Sequence, residues 1–203
     1  MTGGISARKR IVLGIYGSPR EGGNSDILLD RLLEGAAEAG ADIRRVYARS
    51  IAVSPCLECG GCDETGSCVI DDSMRDVYPL LLAAHAVVVA SPVFFYGMSA
   101  QVKALIDRCQ ALWNRRRILE REGKAASTGA GYLLMVGAKR GLHLFLGGEF
   151  TAKYFFHALI KEYGGGIFFR AERAGEVRER AEDCMRARLF GAEVAESIRR
   201  RVP

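Results

Sequence analysis

Short apolar runs alternate along this chain with longer segments in which apolar residues recur every three or four positions. The continuous runs, such as Ala-Val-Val-Val-Ala from residue 86, are typical of strands buried on both faces of a sheet. The longer segments have the period of amphipathic helices. We therefore predict strands over residues 10–16, 43–48, 86–90, 132–136 and 167–169, and helices over residues 26–39, 74–84, 99–113, 145–163 and 176–201.

Glycines and capping residues mark the ends of several predicted helices. Gly40 follows the first helix, and three consecutive glycines at 164–166 follow the fourth. Both lie where a glycine commonly ends a helix. Asp71, Asp72 and Ser73 precede the second helix and are residue types that cap helix N-termini.

The strict alternation of strands and helices predicts an α/β protein with a parallel sheet and helices on both faces. Five such strands favour the flavodoxin-like, doubly wound order 2-1-3-4-5, with a ligand crevice at the carboxyl ends of strands one and three. The sequence has no internal repeat, low-complexity segment or linker. We expect a single domain over residues 1–203, with a cysteine-rich insert at about 54–72.

The loop after the first strand has the composition of a phosphate site. Serine, asparagine and arginine side chains can donate to an anion, and the glycines allow close approach of the backbone. The helix that follows adds free N–H groups and the positive end of its dipole. A polar turn that only caps the helix is the alternative. The predicted phosphate residues are Ser18, Pro19, Arg20, Gly23, Asn24 and Ser25.

Four cysteines lie close together in the spacing C-x2-C-x2-C-x5-C, at Cys56, Cys59, Cys62 and Cys68. Four thiolates are the ligands of a cubic iron–sulfur cluster. They can also hold a structural zinc ion, although two C-x2-C pairs are then normally farther apart. A third interpretation is reduced thiols without a metal. The remaining cysteines, in helical patterns at positions 109 and 184, are predicted to be small buried apolar residues.

Three segments together resemble the NADPH-dependent FMN reductase-like flavoproteins, over about residues 10–170. They are Gly-Ser-Pro-Arg with Gly-Asn-Ser in the loop at 17–25, Ser-Pro-Val-Phe-Phe-Tyr-Gly at 91–97, and the cysteine run with Val-Ile-Asp-Asp-Ser-Met at 69–74. Ser73 is an insertion relative to the usual Asp-Asp-Met. Within this family the compact cysteine run resembles the iron–sulfur flavoproteins, which carry FMN and a [4Fe-4S] cluster, whereas many relatives keep only some of the cysteines and no cluster.

The resemblance implies two further loops at the flavin. Residues after the third strand would hold the isoalloxazine ring through aromatic surface and backbone amides. Because neighbouring residues cannot both face the ring, we expect one of the two phenylalanines to lie in the core. Lys139 and Arg140 depart from the small residues usual after strand four, and their charges suit a reduced flavin, a nucleotide phosphate or simply solvent. The predicted ring-binding residues are Pro92, Val93, Phe94, Phe95, Tyr96, Gly97 and Gly137.

Composition excludes some classes of function. A net charge of +5 with few basic clusters disfavours nucleic-acid binding, and no apolar run reaches the roughly eighteen residues of a membrane span. We expect a cytoplasmic protein, because no secretory signal is evident and clustered thiols suit a reducing compartment.

The leading hypothesis is an FMN-dependent oxidoreductase that passes electrons between FMN and a [4Fe-4S] cluster, with no catalytic side chain nominated. Its redox partner would be ferredoxin, NAD(P)H or a small-molecule acceptor. The alternatives are a cluster-free NAD(P)H-dependent FMN or quinone reductase, and a zinc-stapled, non-catalytic binding module. The resemblance also implies a homodimer or homotetramer, with the helix over residues 99–113, including Leu112 and Trp113, as a candidate contact.

Overall fold

The computed structural model describes residues 10–138 and 141–201, and the predicted alternation of strands and helices is present in it. The strands are β1 (Ile11–Tyr16), β2 (Asp42–Tyr47), β3 (Ala86–Pro92), β4 (Ala130–Gly137) and β5 (Glu162–Arg170). The helices are α1 (Asn24–Glu38), α2 (Met74–Ala83), α3 (Ala100–Arg108), α4 (Gln110–Arg121), α5 (Leu146–Ala158) and α6 (Ala181–Arg201), with a 3₁₀ turn at Glu176–Glu179.

The five strands form one parallel sheet in the order β2-β1-β3-β4-β5, which confirms the predicted fold class. Val12 of β1 pairs with Ile43 of β2 on one side and with Ala86 of β3 on the other. The chain therefore leaves β1 and β3 in opposite directions across the sheet, and their carboxyl ends flank a crevice.

Alternate residues of the central strands enter two separate cores. Val12 and Val88 pack with the buried side chains of α1 and α6 on one face. Leu13 and Val87 pack with α2, α3 and α5 on the other. Because successive strand residues point to opposite faces, a sheet covered on both sides needs apolar residues at every position. This requirement explains the continuous apolar runs.

The predicted helix over residues 99–113 is wrong as a single element. It divides at Cys109, so that α3 ends at Arg108 and α4 begins at Gln110. Cys109 is buried at this junction, as predicted, whereas Cys184 in α6 is only half-buried. The predicted terminal helix also divides, because a 3₁₀ turn and Arg180 precede α6.

The predicted boundary between the helix over residues 145–163 and the fifth strand is also wrong. The helix was expected to reach residue 163, but α5 ends at Ala158 and β5 begins at Glu162. The three glycines lie inside the strand rather than after the helix. The chain turns at Ile160, which has a positive φ of 56°. A Cβ on Gly164 would lie 2.4 Å from the Tyr132 ring, so the glycine permits close packing against β4.

No helix in the described part of the chain combines the length and apolarity needed to cross a bilayer.

Candidate functional site

A cleft of about 260 Å³ opens at the carboxyl edge of the sheet, where the loops after β1 and β3 meet. The predicted residues that line it are Ser18, Pro19, Arg20, Gly23, Asn24, Ser25, Pro92, Val93 and Phe94. Val136 and Ala138, at the end of β4 and in the loop expected at the ring, also line it. The remaining lining residues, which the sequence did not indicate, are Ala171, Glu172 and Ala174 after β5. The cleft therefore combines loops that are distant in sequence at the position that the strand order requires.

The loop over residues 17–25 is shaped by its own hydrogen bonds. The Ser18 hydroxyl accepts from the backbone N–H of Arg20 at 3.0 Å and donates to the Arg20 carbonyl at 2.9 Å. A Cβ on Gly23 would lie 2.9 Å from the Ser18 Oγ, so a side chain there would press on this turn. The buried Ser18 thus fixes the loop, while the exposed Arg20 extends beside the cleft.

α1 begins at Asn24, within the last residues of this segment, and Gly23 at its N-cap offers no side-chain hydrogen bond. The first N–H groups of a helix have no acceptor within the helix. They lie with the positive end of the helix dipole beside the cleft, which is the usual arrangement for binding phosphate.

Asn24 lines the cleft and also makes two contacts that the sequence did not predict. Its Nδ2 donates to the carbonyl oxygen of Arg173 at 2.8 Å, and its Oδ1 accepts from the Val177 N–H at 3.4 Å. The amide therefore ties the loop after β5 to the start of α1. This contact brings Ala171, Glu172 and Ala174 into the lining of the cleft.

An ion pair between the buried Asp26 and the partly buried Arg49 contacts the backbone of the loop. The Arg49 guanidinium donates to the Asp26 carboxylate at 2.8 Å and to the Ser18 carbonyl at 3.5 Å. Burial raises the pKa of Asp26 to about 6, although the charge and hydrogen bond of Arg49 oppose this shift. No sequence pattern indicated this pair, because Asp26 lies in the first turn of α1 and Arg49 in the turn after β2, 23 positions later.

The loop after β3 contains a tight aromatic turn. The backbone groups of Phe94 and Gly97 pair in both directions, at 2.9 and 3.0 Å. The two central residues, Phe95 and Tyr96, have positive φ values of 48° and 62°. Both central residues of a two-residue hairpin turn of type I′ have this conformation, and glycine or asparagine is usual there.

The exposure of this turn corrects one expectation. Phe94 is half exposed and lines the cleft, and Phe95 is fully exposed, so neither phenylalanine lies in the core. Phe95, Tyr96 and Gly97 lie outside the cleft lining, as does Gly137. A Cβ on Gly137 would lie 2.4 Å from Leu144, which shows that this glycine allows close packing. Lys139 and Arg140 lie outside the described residues.

The four clustered cysteines line a second concavity, of about 310 Å³. Its remaining walls come from the same loop and from three residues around the α3–α4 junction, Arg108, Gln110 and Ala111. It has no lining residue in common with the first cleft. The concavity therefore brings the four thiols of the predicted cluster motif to one surface.

Side chains from the two helices donate to two of these thiols. Arg108 Nη2 lies 3.4 Å from Cys68 Sγ, and Asn114 Nδ2 lies 3.3 Å from Cys62 Sγ. Burial by itself raises the pKa of Cys68, but the Ile70 N–H and the Arg108 guanidinium outweigh it and leave the pKa lowered. At Cys62 burial dominates and the pKa is raised, despite the Asn114 donor.

The donor set matches the chemistry of an iron–sulfur cluster. Four thiols at one concavity supply the four sulfur ligands of a [4Fe-4S] cube, and N–H donors to the ligating atoms are usual around metal sites. Within residues 10–138 and 141–201, no three His, Cys, Asp or Glu side chains converge on the position of one metal ion. Arg108 and Asn114 were not indicated by the sequence, because they follow the cysteines by forty or more positions.

Several known proteins are similar to this chain in sequence, and others are similar to it in fold. The "Iron-sulfur flavoprotein" of Methanosarcina thermophila is 37% identical over 129 residues, which are 64% of each chain and thus less than two thirds of that protein's length. An iron–sulfur flavoprotein of Methanocaldococcus jannaschii is 31% identical over 163 residues, 77% of this chain and 76% of that protein.

A solved structure of an NAD(P)H:quinone oxidoreductase from Methanothermobacter marburgensis superimposes with a TM-score of 0.68 and 14% identity. The superposition covers 92% of this chain and 96% of the other, and at this identity it shows the common fold alone. The sequence model of the NADPH-dependent FMN reductase family matches residues 11–155. The chain therefore belongs to the NADPH-dependent FMN reductase family.

Proposed function

We propose that the protein is a flavin-dependent oxidoreductase that binds FMN in the cleft after β1 and β3. The observation that carries the proposal is the convergence, in one cleft, of a helix N-terminus with Arg20 and with the half-exposed Phe94 of the loop after β3. FMN supplies the redox chemistry, since it accepts electrons in pairs or singly. The protein binds, orients and shields it.

Each loop has a separate task in this proposal. The N–H groups at the start of α1, with Ser25 and the Arg20 guanidinium, hold the phosphate. Ser18, Pro19 and Gly23 shape the loop, and Asn24 anchors the loop after β5. Pro92, Val93 and Phe94, which line the cleft, would hold the ring, together with the turn formed by Phe95, Tyr96 and Gly97. Gly137, between the lining residues Val136 and Ala138, allows Leu144 to pack closely at the end of β4.

We also propose that Cys56, Cys59, Cys62 and Cys68 hold a [4Fe-4S] cluster that exchanges single electrons with FMN. Two observations support it: the thiols line one concavity, and two of them accept N–H donors from α3 and α4. The names of the two archaeal relatives agree with it. NAD(P)H, ferredoxin or a small-molecule acceptor would be the external redox partner, and the cytoplasm the compartment.

The phosphate site is tested by replacing Arg20. We expect Arg20→Gln to weaken FMN binding at least about tenfold, because a hydrogen bond to a charged group contributes about 1.5–3 kcal/mol. Riboflavin, which has no phosphate, should bind the variant and the parent equally. Arg31→Gln removes the same charge from the exposed side of α1 and should leave both affinities unchanged. The measurement is flavin fluorescence quenching, and equal losses for FMN and riboflavin would contradict the assignment.

The cluster is tested by anaerobic purification with iron, sulfide and zinc analysis. We expect about four iron atoms per chain, as a [4Fe-4S] cluster requires. Serine at any of the four clustered positions should lower the iron content strongly, whereas Cys184→Ser should not, since Cys184 lies in α6 and does not line the concavity of the four thiols. FMN without metal would favour the cluster-free reductase. Stoichiometric zinc without flavin would favour the binding module.

A further inference from the structure

Arg108 connects the cysteine loop to the rest of the protein. Its side chain is completely buried at the end of α3. Nη1 donates to the Ser54 carbonyl at 2.9 Å and to the Asp72 carboxylate at 2.5 Å. Nη2 donates to Cys68 Sγ at 3.4 Å and to the Ile70 carbonyl at 3.5 Å. One guanidinium therefore contacts the residues that begin and end the cysteine-rich insert.

Asp72, the ion-pair partner of Arg108, also binds both ends of the insert. One carboxylate oxygen accepts from the Ser54 N–H and the other from the Met74 N–H, both at 3.0 Å. The ends of the insert are thus joined to each other and to the first turn of α2. Breaking a buried ion pair on one side is costly, because it leaves the other charge without compensation. The pair therefore fixes the position of the loop on α3.

We infer that Arg108 is a positioning residue for the cysteine loop and that its charge raises the reduction potential of the cluster held there. The effect on the reduction potential rests on the proposed function, because it requires the cluster. The positioning role does not require it. One-electron reduction adds a negative charge to the cluster. A buried cation that donates to a ligating sulfur stabilises that charge, and such charges and hydrogen bonds help to set cluster potentials.

The geometry predicts that replacing the two members of the ion pair shifts the reduction potential of the cluster in opposite directions. Removing the cation in Arg108→Gln should make the cluster harder to reduce. Removing the carboxylate in Asp72→Asn should leave the cation uncompensated and make the cluster easier to reduce. Asn114, a neutral donor to Cys62, should act like Arg108 but more weakly when replaced in Asn114→Leu.

The first measurement is the midpoint potential of the cluster in the purified holoprotein, by dithionite titration under anaerobic conditions. At a fixed potential we expect Arg108→Gln to lower the ratio of reduced to oxidised cluster about tenfold, which is about 59 mV for one electron. Asp72→Asn should shift the potential in the opposite direction. The control is Lys103→Gln, which removes a cation from the exposed side of the same helix and should have no effect.

The second measurement does not depend on a cluster. In metal-free protein, we expect Arg108→Gln to accelerate amide hydrogen exchange at least tenfold across residues 54–72. Exchange in the buried strand β4 should stay unchanged. If Arg108→Gln does not fold, Asp72→Asn tests the exchange across residues 54–72. Asp72→Asn and Asn114→Leu then test the opposite shifts of the midpoint potential.

The outcomes separate this inference from the proposed function. If the parent protein binds iron and the Arg108 and Asp72 variants shift the potential in the same direction, or not at all, the electrostatic role is overturned. If exchange across the insert is unchanged, the positioning role is overturned. If the parent binds no iron, the cluster proposal and the electrostatic role fail together, while the exchange experiment still decides the positioning role.

Discussion

Lys161 is a buried cation at the edge of the sheet opposite the cleft. Its Nζ donates to the Ala84 carbonyl at 2.7 Å and to the Thr128 hydroxyl at 3.0 Å. These residues lie just before β3 and β4, and Lys161 lies just before β5, so one ammonium group joins the starts of three strands. Burial lowers its pKa to about 8. Burial of Lys161 thus makes the free energy of unfolding depend on pH.

The sign of this dependence follows from the two pKa values. Between the folded value of about 8 and the ordinary value of 10.5, the unfolded chain binds more protons than the folded one. The free energy of unfolding should therefore increase with pH across this range, and the contribution is lost as pH falls towards 8. Relative to Lys161→Met, we expect the stability of the parent to increase by about 3 kcal/mol between pH 7 and 11. Urea unfolding at several pH values measures it, and a constant difference would contradict it.

At the scale of elements, the contact between α1 and α6 depends on two glycines. A Cβ on Gly35 would lie 1.9 Å from the Arg188 carbonyl oxygen, and one on Gly191 would lie 1.8 Å from the Leu32 carbonyl oxygen. Both contacts are with backbone atoms, which cannot move out of the way as a flexible side chain can. The backbones of the two helices therefore approach closely on the face of the sheet that they cover.

A larger residue at this crossing should force the helices apart. We expect Gly191→Val to lower the free energy of unfolding by about 3 kcal/mol, the upper end of the usual cost of overpacking. Glu193→Ala, at an exposed position of the same helix, should change it by less than about 0.5 kcal/mol. Chemical unfolding monitored by circular dichroism checks both variants. Equal stability of Gly191→Val and Glu193→Ala would mean that the helices can separate without cost.

Element boundaries show where local patterns are insufficient. The apolar period continued from α5 into β5, and the three glycines suggested a helix end. The helix ends at Ala158, and the chain then turns at Ile160, a β-branched residue in a left-handed conformation that sequence patterns do not predict. The three glycines lie within β5 instead, where Gly164 allows close packing against Tyr132 of β4. Contacts with a neighbouring strand, rather than local preference, determined this boundary.

At the scale of the whole molecule, one exposed apolar surface is our candidate for a contact between copies of the chain. Leu146, Phe150 and Tyr154 form an exposed row on α5, and the carbonyl oxygen of Tyr96 lies beside this helix at Gly147. The row thus continues into the aromatic turn at the proposed flavin site. Leu112, which we considered as a contact from the sequence, is buried in the core. An exposed apolar surface that continues into a functional loop is typical of an interaction site.

We expect this α5 surface to form the contact of a homodimer, alone or within a homotetramer. Phe150→Glu should then reduce the mass measured by light scattering at micromolar concentration towards the 22.1 kDa of one chain. Leu189→Glu places the same charge at an exposed apolar position on α6 and should leave the assembly intact. Dissociation by Leu189→Glu instead, or a monomeric parent protein, would contradict the assignment.

The sequence by itself determined the order of strands and helices, the family, and the two segments that carry the candidate chemistry. These features depend on apolar periodicity and on residues adjacent in the chain, so they are visible in a linear pattern. Only the tertiary structure decided that Asn24 binds the loop after β5, that Phe94 and Phe95 are exposed, and that Arg108 and Asn114 reach the thiols of Cys68 and Cys62. Such contacts join residues far apart in the chain, and their geometry depends on how helices and loops pack on the sheet.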